Sequence, residues 1–377
     1  MEKYIFDKTD ANLIKYDGIS LLEKNYIWDT SGQVQNVVDA LKTQKVVNYL
    51  ELEGNTLGVE AAKAIGEALE SHPELQKALW KNLFTSRGRL EVPLALEHLC
   101  SGLIKAKAQL TVLDLSYNVL GPNGMSSLGT LMRSPVCYSL QELHLNNCGL
   151  GPLGGSMLSS ALLALHSNAQ KAGSPLQLRV FVCGHNCLQD FGATALARTF
   201  KALRTLEQIV LMHNDIRYEG VKYLADSFKA NTHLKVINMN DNNFGVNGAA
   251  KMAEAFEETP FLREINLGDC LITTEGAYHI ADSLEECNDD LAVIDLSFND
   301  LTCDGGLVIL SALQAKPKLT YLNLDGNCFG REGRALIIDL MAQSVNASAL
   351  QPLDEDCSEA EHEDDDKEAD EDDAFYA

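Results

Sequence analysis

The residues that could do chemistry are few, and two of them stand close together. Arg87 and Arg89 lie in LWKNLFTSRGRLEVP, a stretch ended by Pro93. Guanidinium groups at such a place either serve a site that engages carboxylate or phosphate oxygens, or are simply solvated, and the residues alone leave both readings open. His144, His185 and His213 could line an outward surface, yet a histidine without an identified partner is equally a solvated side chain. The chain has no G-x-S-x-G elbow, no G-x-x-x-x-G-K-[ST] phosphate loop and no HExxH. Its ten cysteines show neither C-x-x-C spacing nor a histidine at metal-ligand spacing. They read as small buried hydrophobes, with no zinc and no disulfide framework. The expectation is a chain with no metal, no cofactor and no nucleotide site of its own.

The elements that must position these residues follow from an internal repeat. The pattern L-x-x-L-x-L-x-x-N-x-L appears as Val47, Leu50, Leu52, Asn55, Leu57 and again as Leu110, Leu113, Leu115, Asn118, Leu120. Further copies centre on Cys148, Asn186, Asn214, Asn242, Cys270, Asn299 and Asn327, and a degenerate one puts Leu83 at the asparagine position. The spacing is 28 residues over most of the chain, with insertions in the N-terminal half. Alternation in LDLSYN or INMNDN predicts a short strand with one face in the core. The asparagine can bond backbone that would otherwise be unpaired where the chain leaves the strand. Six residues later nine copies carry a small residue, Ala61, Gly124, Gly154, Gly192, Gly220, Gly248, Gly276, Gly305 or Gly333, which predicts a close approach of helix and strand. Helical spacing follows, as in Ala62, Ile65 and Leu69.

The expected architecture is an α/β leucine-rich-repeat solenoid, a horseshoe with a parallel inner sheet and outer helices. Residues 1–45 form an N-terminal cap and divergent first repeat, 46–350 the solenoid, and 354–377 an acidic, disordered tail. The insertions are expected to lengthen the helical sides near Leu83–Gln109 and Leu158–Pro175. One repeat cannot bury its own apolar face, so stability comes from neighbours and caps. At Leu83 the chain breaks its own rule, and a repeat that does so is either a functional site or plain drift.

The formal charge of −24 is uneven: Asp354 to Asp373 hold fourteen acidic residues against Lys367, and about −11 is left for the rest. Such a surface repels nucleic acid and anionic membrane and attracts a basic protein. The tail is either a solubilising segment or a further attraction for such a partner. No run approaches the roughly 20 apolar residues of a membrane span. No secretory signal is visible, so an intracellular address is expected.

FTSRGRLEVPLAL is similar, without a gap, to the FTGR-x-x-x-E-[IV]-P-x-AL segment of Ran GTPase-activating proteins. LELEGNTLGVEAA, LHLNNCGLGPLGG, CGHNCL, HNDIRYEG, NDNNF and GDCLI echo the same family in order and repeat number, over about residues 10 to 350. The resemblance implies stimulation of GTP hydrolysis on Ran in its GTP form, with or without a Ran-binding protein, keeping cytoplasmic and perinuclear Ran in the GDP form for nucleocytoplasmic transport. It implies that Arg87 is the family's important arginine, Arg89 a second basic residue, and Asn147 an asparagine that approaches the GTPase's catalytic glutamine. Thr85 and Glu91 match without an assigned role, and Asp241 and Asp269 match acidic positions that could meet basic residues of Ran. Ser86 in place of glycine and His185 in place of arginine depart from the pattern. The long C-terminal domain of animal members, with its SUMO attachment, is not in the sequence, nor is the plant-type targeting domain, so the short cytosolic form is expected. It is expected to be a monomer that binds neither nucleic acid nor membrane. The competing reading is a non-catalytic acidic scaffold that wraps a basic protein in its concave face. An actin-regulating repeat protein is a third.

Overall fold

Every strand of the main sheet is aligned with the next by one repeat, as Ile209 with Ile237 and Ile237 with Ile265. The coordinates, a computed structural model, describe residues 18–314 and 316–355. The expected tail from 356 onward and the first 17 residues of the cap lie outside them. Among the described residues an eleven-stranded parallel sheet runs in chain order from Gly18–Ser20 to Tyr321–Asn323. A helix follows most strands: α1 (Gln35–Thr43), α2 (Val59–Leu69), α3 (Glu91–Ala106), α4 (Gly121–Arg133), α5 (Gly151–Lys171), α6 (Gln189–Leu203), α7 (Tyr218–Phe228), α8 (Gly245–Glu257), α9 (Thr273–Glu286), α10 (Cys303–Leu313) and α11 (Gly330–Ala342). This is the expected α/β solenoid. One continuous core runs its length, with Leu50, Leu113, Leu143, Ile209, Ile237 and Ile294 fully buried.

The asparagines fasten repeat to repeat. Asn214 Oδ1 accepts from the backbone amides of Asn186 (3.1 Å) and Leu188 (3.3 Å) in the preceding repeat. Its Nδ2 donates to the carbonyls of Cys183 (3.0 Å) and Leu211 (2.9 Å). Asn118 does the same across the irregular repeat, accepting from Leu83 and Phe84 and donating to Trp80. Asn55 ties on the cap through Tyr26 and Leu21.

Three expectations are corrected. The small residue six places on is crowded by its own turn and by the previous helix rather than by a strand. A Cβ on Gly276 would lie 2.6 Å from Ile272 Cγ2 and 2.9 Å from Ala249 Cβ. Second, aligning the buried faces of α2 and α3 puts Ala95 where Ala61 stands, so the extra residues near Leu83 lie mainly in the turn before the helix. The second insertion does lengthen a helix, α5, to 21 residues. Third, Cys187 is exposed and Cys287 and Cys303 are half-buried, so the cysteines are not uniformly buried.

Among the described residues no helix is long and apolar enough to cross a membrane. Replacing Asn214 with leucine strands two buried amides and two carbonyls. It is expected to lower unfolding stability by about 2–4 kcal/mol in denaturant titration. Cys270→Ala, which loses a thiol contact to the Met239 carbonyl (3.3 Å), is expected to cost only about 1 kcal/mol. Equal losses would remove the asparagine's special role.

Candidate functional site: the strand-to-helix rim

The residue just before each ladder position has left-handed backbone in every copy: Gly54, Asn82, Tyr117, Asn147, His185, His213, Asp241, Asp269, Phe298 and Gly326, with φ between 49° and 75°. This conformation turns the chain sharply out of the sheet, and Gly, Asn, Asp and His tolerate it best. Its consequence is a row of outward side chains along one edge, fixed by the backbone. Asn147, Asp241 and Asp269 therefore occupy equivalent places. The preference for Gly, Asn, Asp or His at that position was the available sequence signal for the row.

Asn147 is exposed, its amide N–H bonds the Gly184 carbonyl (2.9 Å), and its carboxamide makes no hydrogen bond among the described residues. It stands between Tyr117 and His185 in the row. His185 stacks on His213 with ring centroids 4.6 Å apart, and His213 pairs with Asp241. This linked set was not foreseen from the scattered histidines. His144 instead approaches the Glu142 carboxylate (3.3 Å), which holds that carboxyl below its usual range.

Beyond His213 the rim is acidic. Asp215, Asp241 and Asp269 line, with Cys187, Asn242, Asn243 and Leu271, an open cavity of about 280 Å³. Partial burial, then the charges of Asp241 and Asp300, push the Asp269 carboxyl up, against a smaller opposing effect of His213.

The irregular turn lies two strands before Asn147, roughly 10 Å along the sheet at about 4.8 Å per strand. Glu91, the first residue of α3, closes it by accepting from the Gly88 amide (3.1 Å). The Thr85 hydroxyl bonds Asn82, and Arg89 is exposed with no ion pair among the described residues. Arg87 is placed otherwise than an arginine offered to solvent. Its side chain is only 11% exposed and reaches back to the cap, pairing with Asp29 and donating to the carbonyls of Trp28 and Thr56, both at 3.3 Å. The structure thus brings Arg87, Thr85, Arg89 and Glu91 into one loop and Asn147, Asp241 and Asp269 into one row on the same edge. The guanidinium itself reaches toward the cap rather than toward Asn147.

A chain of 28-residue strand-and-helix units with an asparagine ladder is a leucine-rich-repeat protein. A family model described as Leucine Rich repeat matches residues 108–129, 136–159, 202–225, 230–253 and 315–337. The chain is 58% identical over its whole length to a Drosophila melanogaster protein named Ran GTPase-activating protein, covering 63% of that protein. It is 51% identical over 90% of its length to Ran GTPase-activating protein 1 of Xenopus laevis, covering 58% of it. A yeast protein of that name is 30% identical over 46% of the chain and 42% of its own length. The chain is thus similar over its whole length to proteins named Ran GTPase-activating protein, and it spans about six tenths of the length of the fly and frog relatives.

Because ionised Asp269 is disfavoured in the folded protein, its contribution to stability is present at low pH and lost as pH rises through its folded pKa. Asp269→Asn is therefore expected to raise the thermal midpoint at pH 7. The gain should shrink as pH falls through the carboxylate range and as salt screens Asp241 and Asp300. A midpoint lowered at pH 7 would contradict this.

Proposed function

We propose that the chain is a GTPase activator that stimulates GTP hydrolysis by Ran in its GTP form. It engages the GTPase along the strand-to-helix rim and contributes no nucleotide site. Acting in the cytoplasm as a monomer, it would keep Ran there in the GDP form. The observation that carries the reading is the single interruption of an otherwise regular rim. The turn containing Arg87, lengthened by six residues, sits two strands from the free carboxamide of Asn147, in a chain 58% identical to a protein named for this activity.

Hydrolysis needs an oriented water and compensation of charge growing on the phosphoryl oxygens. Arg87 is committed to Asp29 and two carbonyls, which fits an arginine that shapes the loop for binding better than one inserted into a phosphate site. Asn147 is the better candidate for a direct role, since a free carboxamide carried on a fixed backbone can hold the GTPase's own glutamine against the attacking water. Thr85, Arg89 and Glu91 belong to the loop that would meet the partner. Asp241 and Asp269 would meet its basic residues, raising the association rate.

Single-turnover GTP hydrolysis on Ran tests these assignments. Arg87→Ala is expected to abolish or severely lower stimulation, and Asn147→Ala to lower it less drastically. Full activity in both variants would remove the site. The association rate is expected to fall with rising ionic strength, most steeply below about 0.15 M where the Debye length exceeds 8 Å. A rate indifferent to salt would exclude the acidic rim from the encounter.

A further inference from the structure

The first turn of each outer helix carries one residue that faces solvent just beside the rim, five places after the ladder position. Seven repeats keep it polar: Glu60, Asn123, Glu219, Asn247, Glu275, Asp304 and Glu332. Two adjacent repeats put Leu153 on α5 and Phe191 on α6 there, 59% and 64% exposed. The buried faces of α2 and α3 align so that Leu94, 50% exposed, takes the same place after the irregular turn. Between Leu94 and Leu153 the rim adds Val119, 48% exposed.

Large apolar side chains left in water at a position polar in every other repeat are a surface kept for contact. Their distribution says which contact. They flank the turn with Arg87, the copy with Asn147 and the copy with His185. The acidic side chains Asp215, Asp241, Asp269 and Asp300 continue the same edge from His213 onward. Leu271 and Phe298, 41% and 46% exposed, stand among those carboxylates, so the rim is richest in apolar side chains up to Phe191 and predominantly acidic beyond His213, and a single partner covering both needs a basic surface with an apolar strip beside it.

We propose that Leu94, Val119, Leu153 and Phe191 form an apolar docking strip for the partner GTPase. The strip contributes affinity for the GTPase, while the chemistry is left to Arg87 and Asn147. This inference rests on the function proposed above. Because the strip touches only surface remote from the reacting phosphate, its binding is equally strong in ground and transition states, so it acts on KM rather than kcat.

The test uses the full chain with Phe191→Asn and Leu153→Asn, singly and together. Asparagine already stands at this position in two repeats, so the fold should tolerate it, and an unchanged thermal midpoint verifies that. Steady-state stimulation of Ran loaded with GTP is expected to show KM raised at least about tenfold in the double variant, equivalent to about 1.4 kcal/mol, with kcat within about twofold of wild type. Ile338→Asn on α11, an exposed apolar side chain away from the rim, is expected to leave KM unchanged. Wild-type KM in the double variant, or a loss confined to kcat, would overturn the strip while leaving the proposed function standing. A wild-type chain that stimulates nothing would remove both. Sedimentation at several concentrations provides a further arm: a wild-type dimer abolished by Phe191→Asn would assign the strip to a second copy of the chain and overturn the proposal.

Discussion

Everything on the strand-to-helix rim depends on how the chain leaves each strand, and that exit is held by the ladder asparagines. A strand of three residues bends sharply at its end and exposes amides that neither sheet nor helix can satisfy. Asn186 answers this for Cys148 and Leu150 at 3.0 and 3.2 Å, and Asn214 for Asn186 and Leu188. Each asparagine satisfies the repeat before its own, so the bond that finishes one turn also fixes the spacing to the next. The left-handed residue just ahead of each ladder position is thereby held in one orientation, and the ten such residues line one edge.

Asn118 shows how the array tolerates its one irregularity. The copy between Asn55 and Asn118 has Leu83 instead of asparagine: its own amides, at Leu83 and Phe84, are supplied as usual by Asn118, and in the repeat before it the Leu57 amide bonds the Leu83 backbone carbonyl (3.0 Å). The longer turn beyond Phe84 is closed by Glu91 at one end and anchored by Arg87 to the cap at the other. A six-residue insertion with few apolar contacts would otherwise be mobile. Here the buried guanidinium ties it to Asp29, Trp28 and Thr56 and gives it a defined shape, so the cap helps shape the loop.

Much of this was legible in the residues. The 28-residue period, the strand alternation and the helical spacing of Ala62, Ile65 and Leu69 fix the solenoid, because each follows from local geometry repeated many times. The break at Leu83 located the loop. Less was legible where neighbours decide. Nothing local to FTSRGR says that Arg87 reaches Asp29, 58 residues earlier in the chain. The crowding of Gly276 by Ala249 is likewise a contact between helices that one repeat cannot reveal. The pairing of His185, His213 and Asp241 needs the stacking of successive repeats at a spacing the sequence does not state.

The concave scaffold and the rim activator share a fold and an acidic charge, and differ in what happens to a bound nucleotide on the partner. The most direct measurement is phosphate release from GTP-loaded Ran mixed with the purified chain at a hundredth of its concentration. Release of nearly all the phosphate in a fast phase, each molecule serving many GTPases, is the expected result. Hydrolysis at the intrinsic rate with the two proteins nonetheless bound to each other would contradict it and leave an acidic repeat protein that only binds.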